Sequence, residues 1–375
     1  MKVVVSGGGT AGHINPALAV AAELAEQGAE VLYAGNPSGI EARLAPQAGL
    51  PFTPFEAAGF NRRHPLTLLT SSAKIFGSAK RAKRWLLAEK VDVVVGFGGY
   101  VELPVGYAAS WAHIPLVIHE QNSVPGVANK ALAKKASAVA LTYGQTEPLF
   151  STKAGVPVEV TGNPVRKSVL TATRAEGRAY LGVPEDATLL LVFGGSLGAR
   201  HINTELAALK NRLLSIPGLQ VVHITGPKEF DSVCEQLALT DEEGTRWRTI
   251  SYCDHMGEVL AACDLVVSRA GATSLAEITA LGVPALLVPY PFATGDHQTK
   301  NAASLVEAGA AVMVPDDKVE TDLAAPLLQL LRDPQRRTSM HNAALSLRGG
   351  DAAARVAQLA LAAAEQGRAR KAGAR

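Results

Sequence analysis

The residues most able to do chemistry in this chain sit directly after short apolar runs. Gly7-Gly8-Gly9-Thr10-Ala11-Gly12 follows Val3-Val4-Val5 and fits G-x-G-x-x-G. Glycines there let the backbone turn tightly and approach an anion, and the helix start that follows offers unmet N–H groups and the positive end of a dipole. A phosphate or diphosphate is the natural guest. His13 follows at once, where it could contact a diphosphate, act as a base, or merely sit at the helix cap. Two further loops share the pattern, Gly96-Phe97-Gly98-Gly99-Tyr100 and Gly194-Gly195-Ser196-Leu197-Gly198-Ala199. One such loop alone is a weak signal, since a glycine turn also serves tight packing. Three of them at strand ends point to more than one phosphate-bearing ligand.

Four polar clusters occupy equivalent places. His119-Glu120-Gln121-Asn122 directly follows Leu116-Val117-Ile118, and so many polar groups suit a mouth better than a core. Thr161-Gly162-Asn163-Pro164-Val165-Arg166 ends on an arginine whose fork could hold a diphosphate, or could be an ordinary surface group. Ser268-Arg269-Ala270-Gly271-Ala272-Thr273-Ser274-Leu275-Ala276-Glu277 reads as a turn, a cap and a helix. Glu277, about one turn in, could accept from a ribose diol or simply favour the helix dipole. Asp296-His297-Gln298-Thr299-Lys300-Asn301 places Gln298 where it could bond a sugar hydroxyl.

Several chemistries are disfavoured. A dinucleotide-binding domain wants an acidic residue at the end of its second strand, but that strand ends Tyr33-Ala34-Gly35-Asn36 and Glu30 lies at its start. There is no HExxH, CxxC or Asp-x-Asp pattern, and Asp316-Asp317 reads as a turn, so neither a metal nor a cofactor is expected. The net charge of +2 gives no field for nucleic acid, and no nucleic-acid partner is expected. Cys234, Cys253 and Cys263 are too few for a disulfide framework and suit a reducing compartment. The first apolar run is too short for a signal peptide, and no run approaches the roughly 18 apolar residues of a membrane span.

The elements that must position these groups alternate strand and helix. At 375 residues, 47% of them hydrophobic, the chain is long enough for about two globular domains. Strands are expected at Lys2–Ser6, Glu30–Ala34, Asp92–Gly96, Leu116–His119 and Ala138–Leu141. In the second half they fall at Thr188–Phe193, Gln220–Thr225, Leu265–Ser268, Ala285–Val288 and Ala311–Val314. Helical stretches such as Pro16–Gln27 and Thr273–Leu281 lie between them, which is the spacing of βαβ units and a parallel sheet. Leu190-Leu191-Val192-Phe193-Gly194-Gly195-Ser196 repeats the opening strand and glycine turn, so a second doubly wound domain starts near residue 188. The expected organisation is an N-terminal domain over 1–163, a C-terminal domain over 164–350 and a helical basic tail over 351–375, with the linker in 162–184. The tail's terminal Arg and Lys run reads as a solvated end.

Taken together, the motifs resemble the MurG family. The resemblance is carried by Gly8-Gly9-Thr10-Ala11-Gly12-His13 with Pro16-Ala17-Leu18-Ala19, Gly98-Gly99-Tyr100, and His119-Glu120-Gln121-Asn122 with Pro125-Gly126. It continues through Gly162-Asn163-Pro164-Val165-Arg166, Gly194 to Ala199, Arg269-Ala270-Gly271-Ala272 to Glu277, and His297-Gln298 with Asn301-Ala302. The series spans most of the chain in order. It implies the GT-B fold, two doubly wound Rossmann-like α/β domains facing across a cleft. It implies an inverting, metal-independent transfer of N-acetylglucosamine from UDP-N-acetylglucosamine to lipid I, the undecaprenyl-diphosphate muramyl-pentapeptide. The product would be lipid II of peptidoglycan, which places the chain in cell-wall biogenesis, cell shape and division.

By the same resemblance the C-terminal domain holds the donor. Ser196 and Arg166 would meet the diphosphate, Glu277 the ribose and Gln298 the sugar. The segment around Cys253 would hold uracil through its backbone, and the run Ala272, Thr273, Ser274, Leu275, Ala276 would belong to the same site. Thr10, Ala11, Gly12 and Asn122 would line the acceptor side. Two departures stand out. Ala11 replaces a frequent glycine, and Glu102 stands where small residues are common, which weakens the acceptor contact expected of that loop.

Inversion requires a base for the acceptor's C4 hydroxyl and stabilisation of the departing UDP, which the glycine-loop amides, a helix dipole and Arg166 could supply. His13 and Glu120 are the catalytic candidates for the base, His13 slightly preferred. The acceptor is lipid-linked, so a membrane face is expected. Arg62, Arg63, Lys74, Lys80, Arg81, Lys83, Arg84 and Lys90 crowd one stretch with Leu66, Leu68, Leu69, Ile75, Phe76, Trp85, Leu86 and Leu87. Such a mixture suits peripheral binding to an anionic inner-leaflet surface on the cytoplasmic face of the membrane, although it also describes an ordinary packed surface helix. Other cell-wall synthesis enzymes are candidate partners. A UDP-N-acetylglucosamine epimerase and a glycolipid transferase of the same fold are the alternative readings.

Overall fold

The computed structural model describes residues 1–57, 66–195 and 199–373, the side chains of 66–72 excepted. Two compact units result, one of residues Met1–Arg166 with Gly349–Arg375, the other of Lys167–Arg348.

The first unit is built on a seven-stranded sheet in the order β3-β2-β1-β4-β5-β6-β7. Its strands are β1 (Lys2–Ser6), β2 (Glu30–Gly35), β3 (Phe52–Pro54), β4 (Val93–Gly96), β5 (Leu116–Glu120), β6 (Ala138–Leu141) and β7 (Val158–Val160). The second unit carries six strands in the order β10-β9-β8-β11-β12-β13. They are β8 (Thr188–Phe193), β9 (Leu219–Ile224), β10 (Trp247–Ile250), β11 (Leu265–Ser268), β12 (Ala285–Leu287) and β13 (Ala311–Met313). Every neighbouring pair runs parallel. Both faces of a parallel sheet are covered, which is why its strands read as continuous Val, Ile and Leu runs rather than alternating ones. In the first unit Val3 and Val5 enter one apolar layer with Val20 and Leu24, while Val4 enters the opposite layer with Leu86 and Leu116.

Strand order reverses between β1 and β4 in the first unit and between β8 and β11 in the second. At such a switch point the connections leave in opposite directions, opening a crevice outside the carboxyl ends. The loops that begin at Gly7 and Phe97 follow β1 and β4, and those that begin at Gly194 and Arg269 follow β8 and β11. The glycine loops after β1 and β4 and the Arg269 turn after β11 therefore lie where this topology makes room for a ligand, and the His119 and Gln298 clusters follow the neighbouring strands β5 and β12.

All ten expected strands are present, within a residue at each end. Three strands escape the sequence reading, and each is a sheet edge. β3 is Phe-Thr-Pro, β7 is Val-Glu-Val and β10 is Trp-Arg-Thr-Ile, and none has a residue run that is apolar on both faces. An edge strand needs no such run, and proline is tolerated there.

The segment expected as a linker is folded beyond Arg166. Lys167–Leu170 and Arg174–Leu181 are helices of the second unit. Thr173 and Glu176 form a reciprocal capping box at the start of the longer one. Buried Arg178 bonds Asp264 at 2.9 Å and the carbonyl of Ala187 at 2.9 Å. The capping signal and a buried charge with a partner outweigh the polar, alanine-rich composition that suggests a linker.

The C-terminal segment returns to the first unit as the helix Ala352–Gly373. Its Val356, Ala357, Ala360 and Ala364 are buried in the layer that contains Val3 and Val5. Two ion pairs fasten its flank, Arg355–Glu159 and Arg368–Asp92, both at 2.6 Å.

Candidate active site

The first loop is held from below by a carboxylate. α1 (Ala11–Glu26) begins directly after Thr10. Gly9 takes φ +84°, open only to glycine at low cost. Its N–H donates to Glu41 Oε2 at 3.2 Å, and Asn36 N–H donates to Glu41 Oε1 at 3.1 Å. Glu41 opens α2 (Glu41–Gln47) and is fully buried. A side chain at Gly8 would run into its carboxylate, so Gly8 is glycine to admit Glu41. On the opposite side Tyr33 donates its hydroxyl to Gly7 O at 2.6 Å. The Gly9 amide is thus used inside the protein, and an external anion would meet the amides of the α1 N-terminus instead. Ala11 is the first residue of α1 and keeps ordinary negative φ, so the departure from glycine costs nothing at that position.

Thr10 does not cap α1 with its side chain. Its hydroxyl instead lies 3.1 Å from His13 Nδ1. The second loop closes on the same imidazole. Gly98 has φ +87°, and a Cβ there would lie 3.0 Å from His13 Cδ2 and 3.3 Å from Nε2. Gly99 has φ +80°, and a Cβ there would lie 2.5 Å from Gly8 O. Both glycines are required by backbone conformation and by close approach.

At the end of β5 the polar cluster is an ordered network rather than a solvated loop. His119, Glu120 and Gln121 are all buried. His119 Nε2 lies 3.0 Å from Gly162 O, and Gln121 Nε2 lies 3.2 Å from His119 Nδ1. The carbonyl can only accept and the amide donates, so the ring is neutral with its proton on Nε2. Burial lowers its pKa to about 4, partly opposed by the bond to Gly162. Glu120 Oε1 accepts from Asn122 N–H at 3.0 Å and Asn122 Nδ2 at 3.3 Å. Its Oε2 accepts from Gly126 N–H at 2.9 Å and from Asn129 Nδ2 at 2.8 Å. Asn129 lies on α5 (Val127–Ala133) and also donates to His119 O at 3.0 Å. With four donors around it and 1% exposure, Glu120 fixes the position of Asn122.

In the second unit the helix Ala272–Leu281 starts just past β11, with Gly271 as an extended N-cap that gives no side-chain bond. Its first turn, Ala272, Thr273 and Ser274, therefore presents backbone amides at the carboxyl end of the sheet. Thr273 and Glu277 are buried, and Leu275 packs in the apolar layer that also holds Cys253 and Ala270. Gln298 joins the same place. Its Oε1 accepts from Ala270 N–H at 3.1 Å and from Tyr290 N–H at 2.9 Å. Arg269 ties the loop to its neighbours through Val288 O and Pro289 O, both at 3.1 Å, and through Asp316 Oδ1 at 2.5 Å. Cys253 lies in the turn after β10, and burial raises its thiol pKa. Ser196 is outside the described residues, although Gly195 beside it has φ +92°. Arg166 is the last residue of the first unit before the chain enters the second.

Thr10, Ala11, Gly12 and His13 thus cluster with Gly98, and Asn129 links that cluster to Glu120 and Asn122: its Nδ2 would lie 3.6 Å from a Cβ at Gly98. Ala272 to Glu277 and Gln298 cluster at β11. Sequence reading misses Glu41, Asn129 and the role of Glu102 beneath these loops. Only Glu102 carries a signal, as a carboxylate where a small residue is common. Among the described residues no group of three or more His, Cys, Asp or Glu could hold a metal ion.

Comparison with known proteins gives the family. The glycosyltransferase family 28 N-terminal domain matches residues 3–141, and the glycosyltransferase family 28 C-terminal domain matches residues 189–358. The chain is 42% identical over 344 residues to the UDP-N-acetylglucosamine--N-acetylmuramyl-(pentapeptide) pyrophosphoryl-undecaprenol N-acetylglucosamine transferase of Halothermothrix orenii, covering 91% of this chain and 93% of that one. The enzyme of the same name from Carboxydothermus hydrogenoformans is 41% identical, covering 91% of each. The crystal structure of Acinetobacter baumannii MurG superposes with a TM-score of 0.71 at 29% identity, over 96% of this chain and 99% of that one. Two Rossmann-like units with these loops at their switch points are the GT-B fold, and the chain belongs to glycosyltransferase family 28 and, within it, to the MurG family of N-acetylglucosamine transferases.

Proposed function

We propose that the chain moves N-acetylglucosamine from UDP-N-acetylglucosamine to the C4 hydroxyl of the muramyl-pentapeptide of lipid I, forming lipid II, with the first unit taking the acceptor and the second the donor. The contact of Thr10, His13 and Gly98 at the first switch point carries the reading of the acceptor side. With Nδ1 donating to Thr10, His13 directs Nε2 toward the substrate as the base, and glycine at 98 leaves room beside that nitrogen. Asn122, held by Glu120, bonds the acceptor, and the amides at the α1 start receive an anionic or hydroxyl group.

In the second unit the first-turn amides of the Ala272–Leu281 helix stabilise the charge that develops on the UDP diphosphate as the sugar leaves, and Ser196 and Arg166 remain the diphosphate contacts expected from the family resemblance. Glu277 accepts from the ribose, the backbone around Cys253 holds uracil, and Gln298 turns its amide nitrogen to the sugar because its oxygen is occupied.

The lipid carrier places the reaction at an anionic membrane surface. α3 (Leu66–Ala88) suits that surface. It buries Ile75, Ala82 and Leu86 and exposes Phe76, Leu87, Lys80, Arg81 and Arg84. Arg62 and Arg63 lie outside the described residues, as do the side chains of Leu66, Leu68 and Leu69. No helix among the described residues is long and apolar enough to cross a membrane. Transfer of labelled sugar to the lipid acceptor tests the whole reading. Epimerisation or hydrolysis of the donor without acceptor would overturn it.

A further inference from the structure

Glu102 is the one buried carboxylate of the first unit that has, among the described residues, neither a partner cation nor a full set of donors. It opens α4 (Glu102–Trp111) and is completely buried. Its Oε2 accepts the Gly98 N–H, and its Oε1 has no hydrogen-bond partner. The carboxyl packs against Gly96, where a Cβ would collide with Oε1. Gly98 in turn abuts the His13 ring, and Gly99 abuts Gly8. One carboxyl thus fixes the peptide that shapes the space beside His13.

The other two buried carboxylates are solvated by the protein. Glu120 has four donors and Glu41 has two backbone amides. Glu102 has one, and no cation pairs with it among the described residues. The groups around it offer none. β5 presents the Glu120 carboxylate and neutral His119, and α1 presents His13 across the loop. Lys80 and Arg81 of α3 are exposed to solvent, and Lys135 lies over the Tyr107 ring of α4. A negative charge at Glu102 would therefore be buried, unpaired and directly under the acceptor-side loop.

We propose that Glu102 is a positioning residue that must remain a neutral acid for the Gly96–Tyr100 loop to accept the diphosphate-bearing acceptor, so that acceptor use, and not donor use, has a built-in alkaline limit. The proposal rests on the acceptor assignment made above. Oε1, which meets no donor, is the oxygen that carries the proton. Burial holds the group in that form, pushing its pKa up to about 8, with the Gly98 N–H opposing and Glu120 adding to the rise. Once the proton is lost, the new charge repels an anionic guest above the loop. It also sets that charge against the buried Glu120 side chain.

The test is steady-state transfer by the full chain from pH 6.5 to 9.5, with donor and acceptor varied separately, for the native chain and for Glu102→Gln. The expected result for the native chain is a fall in acceptor kcat/KM of about tenfold or more from pH 7.5 to 9.5, with donor KM nearly level. Glu102→Gln keeps the shape without the titration and should lose most of that fall. Parallel loss for both substrates in the native chain overturns the proposal whether or not the variant folds, as does an unchanged alkaline fall in Glu102→Gln. Absence of acceptor-dependent transfer at every pH would sink the acceptor assignment instead. Transfer with a flat profile would sink only the role of Glu102.

Discussion

The Thr10 hydroxyl lies 3.1 Å from His13 Nδ1, which ties the orientation of the imidazole to the residue just before the first helix. A base that uses Nε2 needs its proton on Nδ1, and on the proposed reading the Thr10 hydroxyl accepts from that Nδ1–H. His13→Ala should lower kcat by about 10² to 10⁴-fold and leave donor affinity nearly unchanged. Thr10→Val, which keeps the shape and removes the acceptor, should give a smaller loss, again in kcat. Equal losses in kcat and donor affinity for His13→Ala would remove it from the role of base.

Two glycines with similar backbone angles should respond differently to alanine. A Cβ on Gly9 at φ +84° would meet nothing within 4 Å, whereas one on Gly99 at φ +80° would come 2.5 Å from Gly8 O. Gly9→Ala should cost only the left-handed penalty of roughly 1–2 kcal/mol. Gly99→Ala must also separate the two loops and should lose most of its activity. Urea denaturation together with transfer rates separates the cases. Equal stability and activity for both variants would mean that the loops do not touch in solution.

Stability should also report the protonation of Glu102. The carboxyl titrates at the ordinary 4.5 when unfolded and near 8 when folded. Between those values the folded chain keeps a proton that the unfolded chain has released, so rising pH costs stability until about 8, above which the cost is constant. Glu102→Gln removes this slope. Its advantage over the native chain should grow from pH 5 to pH 8 by an amount on the order of a few kcal/mol. Denaturant midpoints at the two pH values measure it, and a constant difference would place the carboxyl in contact with solvent.

Most of what positions the site is legible in the sequence because it rests on strong local signals. Val3 to Val5, Leu190 to Val192 and Val266 to Val267 are buried on both faces, so their runs announce strands, and the glycines after them announce turns. What stays hidden depends on contacts distant in sequence. Glu41 bonds Gly9 and Asn129 bonds Glu120 across loops whose closure no local pattern encodes. The same holds for Glu120, which reads as a candidate base by type and position and proves to be enclosed by four donors. The second unit's first helices resemble a linker in sequence because their burial comes from Asp264, 86 residues beyond Arg178.

Membrane attachment should depend on charge. Lys80, Arg81 and Arg84 are exposed on α3 beside exposed Phe76 and Leu87. The chain should sediment with anionic vesicles more than with neutral ones, and replacing those three basic residues by glutamate should abolish the difference while transfer to a soluble acceptor analogue persists. Equal binding to both vesicle types would leave no electrostatic contribution.

On the proposed reading the chain passes a sugar from a nucleotide to a lipid-linked acceptor. The most direct measurement is transfer of radiolabelled N-acetylglucosamine from its UDP donor, with and without the undecaprenyl-diphosphate muramyl-pentapeptide. Label should move to the lipid fraction with inverted, β configuration, only when acceptor is present. Release or epimerisation of the sugar at the same rate without acceptor would contradict transfer to the lipid.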